Sequence, residues 1–292
     1  MGGAWSRTMG YQGATTDDGG AAAAQPVPLR LRLANAIAFV ACVAVNGFAG
    51  GSVGTISHKY PTKIVPDGWA FSIWGIIYTL LIGFVGYQFQ TSTPSSSAIV
   101  NRVGGLFLLS NAFNTAWILT WIGGTPATVL VSSALLFGLV GTNLAILSRG
   151  GAWQSEPPRQ WADTLLFDIP FSIYTGWVTV ASIVNVGAAG VAYGWADQFL
   201  LTSSQWAAVM IAIAGVINAA VLIRRKDPVY PLVYVWATAA IFTGHRDDTV
   251  VATTAAIGAV AMLAVDAVGV GLMVRAARNA NGAENSPLIV SK

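Results

Sequence analysis

The chain has 292 residues, of which 54% are hydrophobic and 9% charged, with a net charge of +3 and a mean hydropathy of +0.62. Soluble domains carry about 25% charged residues, so this composition excludes a soluble globular protein and indicates a polytopic membrane protein. The longest basic run, Arg224-Arg225-Lys226, is too small to support nucleic-acid binding and reads as a helix-end anchor near lipid headgroups.

Residues 1–30 are rich in Gly and Ala, show little apolar periodicity, and read as a disordered tail. Its start, MGGAWS, fits the N-myristoylation pattern with Gly2 as acceptor. Eight apolar runs follow, at 34–55, 69–88, 103–122, 126–147, 163–187, 205–223, 229–244 and 251–274. A bilayer core roughly 30 Å thick needs about 20 apolar residues per spanning helix. Lipid offers no hydrogen bonds, so each run must satisfy its own backbone as a helix. The run at 229–244 is short and begins at a pair of prolines. The expected fold is all-α: a polytopic membrane helix bundle of about eight transmembrane helices. Residues 31–190 would hold a bundle of five, 191–276 three more, and 277–292 a flexible C-terminal tail.

Basic residues are distributed unevenly across these runs. The N-terminal tail, the even-numbered loops and the C-terminal tail hold twelve of the fifteen Lys and Arg residues; the odd loops hold only Lys59, Lys63 and Arg246. The positive-inside rule then places both termini in the cytoplasm. The seventh helix is needed for this pattern, because without it the C-terminal cations fall on the wrong side. The lone cysteine, Cys42, excludes an internal disulfide.

Two acids stand out well inside apolar runs, Asp168 in the fifth and Asp266 in the eighth, whereas Asp163 lies at the interface end of the fifth. At 1.5 Å per residue Asp168 and Asp266 lie roughly 8 Å and 12 Å from the same face. A carboxylate at such depth costs several kcal/mol unless paired or hydrated. They would either share a proton or cation site or be two independent, hydrogen-bonded carboxyls. The aromatic residues form stripes. Phe71, Trp74 and Tyr78 share one face of the second helix. In the third, Asn111 and Asn114 share a face that Trp117 extends; in the fifth, Pro170, Tyr174, Trp177, Ala181 and Asn185 form one line. Amides facing lipid are costly, so these asparagines should point inward. The stripes would line a pocket for a flat apolar ligand, or serve as packing. Trp69, Trp121, Trp153, Trp161 and Trp206 are placed as interfacial belt residues.

Three segments carry a family resemblance: YPTKIVPDGWAFSIWGIIYTLL, LLSNAFNTAWILTW and IPFSIYTGWVTVASIVN. In segment order and helix count they resemble the translocator protein family, also called tryptophan-rich sensory proteins or peripheral-type benzodiazepine receptors, over residues 34 to 190; the spacing is not identical, with Phe71 and Trp74 three apart and Tyr78 four further on. The resemblance implies a five-helix bundle that binds porphyrins, other tetrapyrroles or sterols, without a required cofactor. By motif, Phe71, Trp74, Tyr78, Asn111, Asn114, Trp117, Phe171, Trp177, Ala181 and Asn185 occupy matching positions, and the loop Ser57 to Gly68 would be the lid of the pocket. Two features depart from the pattern. Three more helices follow, as in a longer branch of the family, and the Tyr-basic cholesterol motif is missing after Asn185. A reversed pattern, Lys226-x-x-x-Tyr230-x-Leu232, stands elsewhere.

Other site classes find little support. His58 and His245, the only histidines, read as solvated loop residues, and a metal site needs more ligands. The pairs Gly47 with Gly51 and Gly50 with Gly54 permit close helix packing within the bundle or a homodimer. The expected function is therefore non-catalytic binding or sensing of a flat hydrophobic ligand. The rivals are a secondary transporter working through Asp168 and Asp266, and a non-catalytic partner subunit.

Overall fold

The computed structural model describes residues 27–90, 93–153, 160–195 and 201–284. The Gly2 acceptor and the sequence end from 285 lie outside them. The described residues form helices and no strand. In chain order, α1 (Leu29–Lys59) is followed by a loop and a 3-10 turn (Gly68–Ser72) that opens α2 (Ile73–Tyr87). Next come α3 (Pro94–Val103), α4 (Leu106–Trp121) and α5 (Pro126–Gly150). A short α6 (Trp161–Asp163) continues through a π turn (Thr164–Asp168) into α7 (Ile169–Ala192). The chain ends with α8 (Ser203–Arg225), α9 (Tyr230–Gly244) and α10 (Thr249–Glu284).

Every predicted apolar run coincides with a helix, and the all-α polytopic bundle is what the chain forms. Six stretches are long and apolar enough to cross a bilayer, and α3 with α4, bent by 47°, makes a seventh. At 15 residues, α9 spans only about 22 Å. Hydrogen bonds between loops nonetheless show that α9 reverses the chain like its neighbours. At one end of the bundle, Lys59 and Tyr60 donate to the Gly124 carbonyl, Lys63 reaches Ser204 and Asp248, and Asp67 N–H donates to Ala240 O. At the other end, Asn35 donates to Gln88, Tyr87 to Asp163, Arg225 to Ser148 and Ser172 to Asp227. The odd loops thus share one end and the even loops the other.

Local chemistry explains the departures from the expected boundaries. Helix α3 was not anticipated. Thr93 caps it in a reciprocal box with Ser96, Pro94 supplies a preset first turn, and Gly104 at φ 50° stops it. The π turn precedes Pro170, which has no N–H to continue the ladder, so the helix widens by one residue there. Helix α10 runs to Glu284, into the segment expected to be a tail, because residues 276–284 are mostly good helix formers without proline.

Packing centres on α4, α5 and α7, with α1 laid on α4 and α2 on α7. Helices α8, α9 and α10 pack chiefly on one another, and α9 is the main contact to α7. Glycines allow close approaches between elements. A Cβ on Gly150 would stand 2.1 Å from the Phe167 ring, and one on Gly176 3.0 Å from Val233. Phe84, Phe107, Phe167 and Phe171 fill the even-loop end with edge-on and tilted ring contacts 4.8–6.0 Å apart.

Candidate functional site

Toward the odd-loop end, α1, α2, α4 and α7 leave a cavity of about 550 Å³. Seven of the expected site residues line it: Phe71, Trp74, Tyr78, Trp117, Trp177, Ala181 and Asn185. Trp74 is the centre of an aromatic wall. Its ring lies 5.4 Å from Tyr78 and 6.0 Å from Trp117, both stacked, and 6.1 Å edge-on from Tyr174. Phe71 stands perpendicular to Trp177 at 5.6 Å. Offset and edge-on geometries of this kind hold rings in fixed orientations.

The other expected site residues lie beneath the wall. Asn114 accepts from Asn46 Nδ2 and donates to the Tyr174 hydroxyl, each at 2.8 Å, so Asn114 and Tyr174 brace the floor. Asn111 donates to Phe107 O in its own helix, and Phe171 belongs to the phenylalanine cluster. Asn185 is held in place from both sides: it accepts from Trp117 Nε1 at 3.4 Å and donates to Ser132 Oγ at 2.6 Å. Two donors on the cavity wall have no partner in the protein, Trp177 Nε1 and the Tyr78 hydroxyl, although both atoms are buried.

Helix α1 supplies a wall that the aromatic stripes did not reveal. Val43, Asn46, Gly47, Gly50, Val53 and Gly54 all line the cavity. An added Cβ at Gly47, Gly50 or Gly54 would meet nothing within 4 Å. Inside the bundle these glycines therefore make room rather than close helix contacts. Gly50, Gly54, Gly68 and Phe71 are also exposed, so the cavity opens sideways between α1 and the start of α2. Ser57, His58, Val65, Pro66 and Gly68, all in the expected lid, complete the lining.

Several residues depart from their expected roles. Trp121 is buried against the cavity, its Nε1 donating to Val53 O at 3.3 Å. Trp153 donates to Ser172 Oγ at 2.9 Å, and Trp69 to Thr243 Oγ1 at 3.0 Å while meeting Trp236 edge-on. Trp161, 77% exposed, fits a belt position. His58 lines the cavity, and His245 bonds the lid backbone at Val65 O. His58 is exposed at the end of α1, whereas His245 is partly buried.

Asp168 and Asp266 sit on elements with different principal neighbours. Asp168 is fully buried on the π turn, which packs on α2, α6 and α7. Asp266 sits on α10, whose principal neighbours are α8 and α9, and the acid whose charge reaches it is Asp227. Asp227, missed in the sequence because it lies in a short loop between apolar runs, is fully buried. It accepts from Ser172 Oγ and from the N–H groups of Val229 and Tyr230, capping α9. Burial pushes its carboxyl above the usual range, against the pull of those hydrogen bonds and of Arg225.

A family model described as TSPO-like protein matches residues 32–268, a span that runs through α8 and α9 and into α10. No curated protein and no solved structure matches the chain.

Proposed function

The chain belongs to the TSPO-like protein family, and from that premise we propose that it binds or senses a flat hydrophobic ligand of the porphyrin or sterol class without transforming it. The observation that carries this reading is the aromatic cavity with its two unpartnered donors. Its volume of about 550 Å³ falls within the roughly 300–1,000 Å³ common for ligand sites. Trp74, Trp117 and Trp177 offer faces for a planar ring. A buried N–H or O–H without an acceptor costs about 1–3 kcal/mol. A ligand carrying acceptors at its edge would relieve that cost at Trp177 Nε1 and Tyr78 Oη once the surrounding rings shift, since both atoms are closed to solvent. The lateral opening beside Gly50 suits a ligand that arrives from the lipid phase. The positive-inside distribution supports an orientation with both termini, and with them the even-loop end, facing the cytoplasm.

Titration with protoporphyrin, followed by the porphyrin absorbance as well as tryptophan quenching, tests the proposal. Saturable binding in the micromolar range, about 8 kcal/mol, is expected. Trp177→Ala should weaken it by more than about 1 kcal/mol, as loss of a buried aromatic anchor does, while the exposed Trp161→Ala leaves it unchanged. Equal effects at both positions, or no saturable binding, would refute the reading.

A further inference from the structure

The lid is held from its outer side by the three C-terminal helices. While Val65 and Pro66 line the cavity, His245 Nε2 meets the Val65 carbonyl at 3.1 Å, and Asp67 N–H donates to Ala240 O at 3.1 Å. Just beyond, Trp236 Nε1 donates to Ala70 O at 3.0 Å and Trp69 to Thr243. The charged contact in this set is Lys63. Its ammonium donates to the Asp248 carboxylate and, at 3.2 Å, to Ser204 Oγ, which itself donates to Asp248 at 2.7 Å. Asp248 is fixed independently of the lid, because its other oxygen caps α10 at Val251 N–H. The lysine and the two hydrogen bonds from hydroxyl and backbone hold this carboxylate well below its ordinary range. The anchor on α10 is therefore rigid and charged, and the lysine it grips is on the loop that closes the cavity.

We propose that α8–α10 serve as a latch for the lid, with Asp248 and Ser204 as positioning residues that grip Lys63 and set how fast ligand enters and leaves. The ligand part rests on the binding reading above; the latch itself does not. Two odd-end contacts of the lid, those of Lys59 and Tyr60 with Gly124, stay within the first five helices. They anchor its N-terminal end. The segment from Lys63 to Asp67 is held by the C-terminal helices, so releasing the latch frees the part of the lid that lies over the cavity.

The test uses full-length protein in lipid nanodiscs. Asp248→Asn removes the charge and keeps a capping side chain; Lys63→Met removes the partner charge and keeps the stem. Amide hydrogen exchange over residues 62–67 reports the latch directly, and stopped-flow protoporphyrin dissociation reports its effect on the ligand. Each single variant should speed both by about threefold, the scale of a partly exposed ion pair. The double variant should add nothing further, since both changes break one contact, and Lys63→Arg should restore slow exchange. Unchanged exchange in both single variants, or additive effects in the double, overturns the latch. If the wild type binds no porphyrin, the binding reading fails while the exchange data still decide the latch.

Discussion

Asp227 is where burial and charge oppose each other most clearly outside the spanning helices. It is fully buried at the α8–α9 turn, and desolvation raises its carboxyl despite three donors and a nearby arginine. A raised folded-state value means that the folded protein holds the proton more tightly than the unfolded chain, whose value is about 3.9. The stabilisation is complete below that unfolded value and is lost as pH rises through the folded one. The thermal midpoint of the purified protein should therefore fall as pH is raised from about 4 toward neutrality. Asp227→Asn, which keeps an acceptor for the α9 N–H groups, should flatten that dependence. A midpoint profile identical to wild type would show that Asp227 stays ionised throughout. The sequence exposed Asp168 and Asp266 because they interrupt long apolar runs, whereas Asp227 follows Arg225 and Lys226 in a short loop and interrupts none. Asn46 was missed for a different reason. The aromatic stripes drew attention to other helices, although Asn35, Phe39, Cys42, Asn46 and Ala49, all buried, already follow the i, i+4, i+7 pattern of an inward face.

Helix α1 illustrates how small residues can be read in two ways. Glycines at positions 47, 50 and 54 share a face, which in a membrane often marks a helix–helix seam. Here that face borders the cavity with nothing within 4 Å. Gly50→Leu should fill the space, abolish protoporphyrin binding and leave the thermal midpoint nearly unchanged. If the glycines instead form a dimer seam, the same variant would keep binding and lower the oligomeric mass seen by light scattering. Elsewhere glycine does bring elements together, as at Gly150, where α5 meets the Phe167 ring. Gly150→Ala must displace that ring or the backbone and should cost about 1–3 kcal/mol, the usual penalty of overpacking, visible as a lowered unfolding midpoint. The sequence distinguishes neither case, because spacing reports which residues share a face but not how far away the next helix stands. The aromatic stripes of α2, α4 and α7 were legible because large rings must be buried somewhere. What they could not convey was that Phe171 joins a packed cluster while Trp177, six residues on, faces open space.

At the scale of the whole molecule, hydrophobicity and the charge bias were enough to lay out eight helices in their order, and the loop contacts distribute those helices between two ends as the basic residues suggested. The lid's attachment to the C-terminal helices was not legible, since Lys63 and Asp248 are 185 residues apart and neither belongs to a local motif. The least secure crossing is α9. Its 15 residues cover about 22 Å of a hydrocarbon core roughly 30 Å thick. Its ends compensate: Asp227 is buried below it against Ser172, and His245 lies above it against the lid. Shortfalls of this kind are tolerated by local thinning or by burial against neighbours, at fractions of a kcal/mol per Å. The helix is also shielded by α7, α8 and α10. If α9 crosses, a cysteine placed at exposed Asp247 should label only from the side opposite to one placed at exposed Arg224, in a background where buried Cys42 is replaced by Ser. A reporter fused after Lys292 should then report the cytoplasm. Labelling of positions 224 and 247 from the same side would mean that α9 does not cross, put the two termini on opposite faces, and refute the eight-crossing arrangement together with the orientation drawn from its charges.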